Sequence, residues 1–145
     1  MSIIMKLATC STLCGAMILA TVPDLHASEN TIASGRNHGL SISIVNDSGK
    51  FAPGSNDFCV QFSKAANAEP VSVKDVVVDF AQQVGRIPEK PTRAHITEGG
   101  IGHFCGKVDL GKQYYQPAFY FIFVHYADPS GTRRKYRLFL VIKHE

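Results

Sequence analysis

The chain reads as an all-β protein, an immunoglobulin-like β-sandwich of about seven strands. Three observations predict it. Short runs rich in Val, Ile, Phe and Tyr alternate with polar residues, the period of a strand with one buried face. Clusters of Gly, Pro, Asn and Asp separate these runs. No long stretch carries the 3.6-residue periodicity of an amphipathic helix.

The runs follow in order. Leu40 to Ile44 alternates strictly and stops at the turn Asn46-Asp47-Ser48-Gly49. A second turn, Pro53-Gly54-Ser55-Asn56, precedes Phe58 to Phe62. Val71 to Phe80 is the third run, and the mostly polar, Pro-containing stretch from Gln82 to Thr92 reads as a loop. Ala94 to Thr97 is short and is turned back by Glu98-Gly99-Gly100-Ile101-Gly102 into Phe104 to Val108. Ala118 to Tyr126 and Tyr136 to Ile142 are the strongest runs, joined by the hairpin turn Asp128-Pro129-Ser130-Gly131.

The first residues set the compartment. Lys6 is the only charge before Asp24, and Leu7 to Val22 is apolar or small. Pro23 ends any helix there, and Ala27 supplies a small residue at an exit site. This is the pattern of a secretory signal peptide over residues 1–27. Two alternatives use the same residues. One is an uncleaved anchor, the chain's only contact with a membrane; the other is a lipoprotein signal at Leu7-Ala8-Thr9-Cys10. The apolar run falls short of the roughly 20 residues of a span. It also continues past Cys10, so the reading is cleavage after Ala27 and a periplasmic or secreted product. Residues 28–38 are then a flexible lead-in and 39–145 one sandwich domain, in an exported chain of roughly 118 residues.

A net charge of +3 is too small to point to nucleic acid. Arg133-Arg134-Lys135 adjoins a turn and reads as a solvated hairpin end. All three Met residues lie in the leader, and two of the four Cys, Cys59 and Cys105, lie outside it. Two Cys in an exported domain pair, at a gain of roughly 4 kcal/mol in the chain-entropy account. Alternation sets their facing. Phe58, Val60 and Phe62 share the apolar phase, as do Phe104 and Val108, so both Cys fall on the polar one. The expected bond is therefore a cross-strand disulfide on the outer face of one sheet, not one through the core.

From Gly39 to Ile142 the order of motifs resembles the YtkA-like family, related to the FixH-type periplasmic domain. The resemblance is carried by Pro53-Gly54-Ser55-Asn56, by Thr97 through Phe104, and by Val108-Asp109-Leu110. It implies an immunoglobulin-like sandwich outside the cytoplasm and an association with metal handling, copper especially. Many members carry Met in the loop after the third strand. Here that loop, Phe80 to Pro88, has no Met, Cys or His, which excludes a Met-based copper site.

Three sets of residues could carry a function. His95 and His103 flank the glycine turn and are expected nearly opposite each other on the outer face, where they could hold copper or zinc. With reduced thiols, Cys59 and Cys105 would complete a tetrahedral set; with the disulfide formed, the histidines are ordinary surface residues. The last two runs are apolar on both faces. Phe139 and Val141 form their outward set, an interaction patch for a protein partner or a second copy. No G-x-S-x-G elbow and no phosphate-binding glycine loop occurs, and Asp75 and Asp79 read as solvated strand acids. The expected function is a non-enzymatic exported accessory or protein-interaction domain of YtkA-like type, without a cofactor. The alternative is a periplasmic copper- or zinc-handling protein using His95 and His103.

Overall fold

The computed structural model describes residues 29–112 and 117–142. Residues 1–27, read from the sequence as a signal peptide and including Cys10, lie outside the described residues, as do Tyr114, Tyr115 and His144. The described chain forms ten strand segments. These are β1 (Asn30–Asn37), β2 (Leu40–Asn46), β3 (Ser55–Lys64), β4 (Lys74–Val84), β5 (Ile87–Pro88), β6 (Thr92–Arg93), β7 (His95–Gly100), β8 (His103–Asp109), β9 (Ala118–Ala127) and β10 (Arg133–Ile142).

They build two antiparallel sheets packed as a β-sandwich. One runs β1-β2-β3-β8-β7; the other runs β10-β9-β4-β5, with β6 also on β4. Leaving β1 aside, this order parallels the A-B-E-D and G-F-C orders of immunoglobulin sandwiches.

The alternation explains the core. Ile42, Ile44, Phe58, Val60, Phe62 and Phe104 point inward from the first sheet. Val78, Phe80, Ile122, Val124, Leu138, Leu140 and Ile142 meet them from the second. Phe51, Phe58 and Phe80 interlock edge to face with centroids 5.4 to 5.8 Å apart. The Tyr126 ring lies 5.1 Å from that of Phe62, and its hydroxyl accepts a hydrogen bond from Asn37 Nδ2 at 3.0 Å. Buried Asn56 satisfies its amide locally: it accepts from Ala52 N and donates to Ala52 O and Gly54 O, closing the Pro53-Gly54 turn.

Two expectations are corrected. The segment 28–38, read as a flexible lead-in, contains β1, which pairs with β2 from Asn30↔Asn46 to Asn37↔Leu40. Its sequence, NTIASGRN, looks like a linker because an edge strand needs few apolar residues. Ile32 and Ala33 alone pack on the core. Gly35 admits the Tyr136 ring where a Cβ would overlap the hydroxyl. The sandwich domain therefore begins before residue 39. The Gln82–Thr92 loop is likewise shorter than expected: β4 extends to Val84, and β5 and β6 fold back onto it. Within β4 a bulge between Lys74 and Val77 places Asp75 at φ 53°.

Candidate functional site

The outer face of the second sheet is the first candidate. β9 and β10 pair in unbroken register, Phe139 against Phe121, Val141 against Phe119, Arg137 against Phe123 and Lys135 against His125. Leu138, Leu140 and Ile142 fill the core, so strand alternation forces these residues outward. Phe139 is 52% exposed, Phe119 40% and Val141 37%. The Phe119 and Phe139 rings stack at 5.9 Å, and Phe121 lies 5.6 Å from Phe139. The outward facing expected of Phe139 and Val141 is therefore what the fold contains. Phe119 and Phe121 join them, although both lie in a run apolar on each face, where sequence alone does not separate core from surface.

This face changes character along its length. Its aromatic end carries Phe119, Phe121, Phe139 and Val141. Arg137 lies 5.0 Å over the Phe121 ring and Lys135 4.5 Å over Phe123. Arg133 continues the outward phase of β10. On the β4 side Asp79 binds Arg93 at 3.0 Å and lies 3.8 Å from His125 Nε2. The Asp79 carboxylate raises the Arg93 pKa by hydrogen bonding and by its charge.

The second candidate is the outer face of the first sheet. Cys59 and Cys105 stand directly opposite in the β3–β8 register and are joined in a disulfide, Cα atoms 4.0 Å apart. This is the cross-strand, outer-face bond expected from their phase. His103, two residues before Cys105 on the same face, brings Nε2 to 3.2 Å from Cys105 Sγ. Glu29 Oε1 lies 3.5 Å from the same nitrogen, and Gln61 Nε2 donates to Glu29 Oε2.

His95 does not join this cluster. The expectation that it opposes His103 is corrected by the register, in which His95 faces Lys107 and His103 faces Gly100. The glycines lengthen β7 instead of forming a wide loop. The chain reverses at Ile101-Gly102, with a bulge between Glu98 and Gly100. Four residues of β8 then separate the two positions, about 13 Å at strand rise. One ion cannot bridge them. The residue that approaches His103 is Glu29, which nothing in its local sequence marks. It reaches the face only because β1 pairs with β2.

No family model matches the chain, and no curated protein does. Among solved structures the chain is similar to a DUF4426 family protein from Pseudomonas aeruginosa, with 12% identity and a TM-score of 0.52, over 77% of this chain and 97% of that one. At that identity the likeness shows the fold alone, and it does not point to the YtkA-like family.

Proposed function

We propose that this chain is an exported, non-enzymatic accessory domain of immunoglobulin-like type, and that it docks a partner protein through the outer face of β9 and β10. The observation that carries this reading is the row Phe119, Phe121, Phe139 and Val141, apolar side chains turned to solvent beside an ordered core. A sheet face that served only solubility would carry polar residues at these phases, as Ser41, Ser43 and Gln61 do on the other sheet. The row meets Arg137, Lys135 and Arg133 along one strand. The partner therefore offers an apolar anchor with acidic groups beside it. The Cys59–Cys105 bond fits an oxidising compartment outside the cytoplasm, as does the resemblance to periplasmic YtkA-like domains.

The test is co-purification of an affinity-tagged protein from cross-linked cells, comparing the native chain with a Phe139→Ser/Val141→Ser double variant. The reading expects a defined heteromeric species with the native chain and its loss in a folded variant. A species that survives the substitutions, or one containing only second copies of this chain, contradicts it.

A further inference from the structure

We propose that when the Cys59–Cys105 disulfide is reduced, Glu29, Cys59, His103 and Cys105 form a four-ligand zinc site. The ligand atoms of these four residues already lie within 4.8 Å of one another on one sheet face. Two thiolates, one imidazole and one carboxylate are the donor types a tetrahedral zinc ion takes, at roughly 2.0 to 2.3 Å each. Closing from the observed spacing to that geometry requires side-chain adjustment and no change of strand register. Three donors sit on the paired strands β3 and β8, which fix their relative positions. The fourth is oriented from outside the set: Gln61 holds Glu29 Oε2, leaving Oε1 turned toward His103 Nε2. Such outer partners aim ligands in metal sites.

The disulfide is reachable. Cys59 and Cys105 line an open groove of about 740 Å³ with Asp57, Lys107 and the Asn46–Lys50 turn. A dithiol reductant attacks one sulfur as a thiolate, and its second thiol resolves the mixed disulfide. It leaves as a disulfide, having passed two electrons to the protein, whose sulfurs end as two thiols. Zinc binding then displaces both thiol protons to solvent. A small disulfide that takes up two electrons from the thiolates and two protons from solvent leaves as a dithiol, re-forms the Cys59–Cys105 bond and releases the ion. The inference does not rest on the docking face, which lies on the other sheet.

The experiment titrates zinc into the purified protein, oxidised or reduced by a phosphine without oxygen, against a chromophoric chelator. Cobalt(II) then serves as the optical probe. The expected result is one equivalent bound to the reduced protein and none to the oxidised one, with a thiolate-to-cobalt charge-transfer band and tetrahedral ligand-field bands. His103→Ala and Glu29→Gln should each weaken binding at least as much as loss of an outer-shell partner does, about 10-fold, while His95→Ala leaves it unchanged. Equal binding by the oxidised protein overturns the proposal. So does binding by reduced His103→Ala and Glu29→Gln at native strength, which would mean capture by the thiols alone. If reduction unfolds the chain, zinc should restore its circular dichroism; failure to restore it also overturns the proposal.

Discussion

Phe139 stands directly across the β9–β10 pair from Phe121, ring centroids 5.6 Å apart, on the side of the sheet that faces away from the core. The residues on either side of it, Leu138 and Leu140, are buried in that core. One strand thus serves two environments with a period of two.

The two sets should respond differently to substitution. Phe139→Ser with Val141→Ser removes cross-strand contacts worth about 1 kcal/mol and leaves no cavity. Ile122→Ala on the inner face should cost about 2 to 5 kcal/mol. Urea denaturation of both variants checks this. A core-sized loss from the outer pair would mean that those side chains support the fold and not a partner.

Removing the disulfide with Cys59→Ala/Cys105→Ala should cost about 2 to 5 kcal/mol. The bond closes a sequence separation of 46 residues, which the unfolded chain is then free to explore. Thermal unfolding with and without reductant should give the native protein the same loss as the variant. Any further loss in the variant would come from the alanines.

At Gly106 the His95 carbonyl of β7 lies where a Cβ would be built, so alanine must push the two strands apart. Gly106→Ala is expected to destabilise by more than about 1 kcal/mol, with the loss of protection in hydrogen exchange concentrated in β7 and β8. Gly131→Ala meets no neighbour but sits at φ 81°, so its cost comes from backbone conformation and should stay local to the β9–β10 turn.

Acid should weaken the hairpin through Asp128. Its carboxyl is lowered from 3.8 to about 2, first by the Ser130 hydroxyl and then by the Arg134 guanidinium and the Thr132 backbone. A depressed folded pKa means the fold favours the carboxylate. The contribution is therefore complete above about pH 4 and disappears as pH falls through about 2. Stability measured from pH 5 to pH 2 should decline less steeply in Asp128→Asn than in the native chain.

How far the sequence reaches is clear from particular residues. Strict alternation at Phe58 to Phe62 and at Phe104 to Val108 is enough to place both cysteines on the outer face. Around Phe139 and Val141 the run is apolar on both faces, so alternation pairs them on one face without saying which; the burial of Leu138 and Leu140 settles that they face outward. Register was beyond alternation. A hairpin's pairing depends on whether its glycines lengthen a strand or widen a loop, and both readings of Glu98 to Gly102 preserve the facing. The outward face of His95 and His103 is therefore legible in the sequence, and their cross-strand partners, Lys107 and Gly100, are not. β1 was hidden for another reason. An edge strand gains its order from backbone pairing, and NTIASGRN carries little apolar signal. Glu29 was lost with it.

The most direct test of the docking face is site-specific photo-crosslinking in living cells, with a photoreactive residue placed in turn at Phe119, Val141 and Ser43. The first two lie on the outer face of the second sheet and Ser43 on that of the first. The account predicts one shared adduct of defined mass from positions 119 and 141, and none from 43. An adduct from all three positions, or from none, would contradict it.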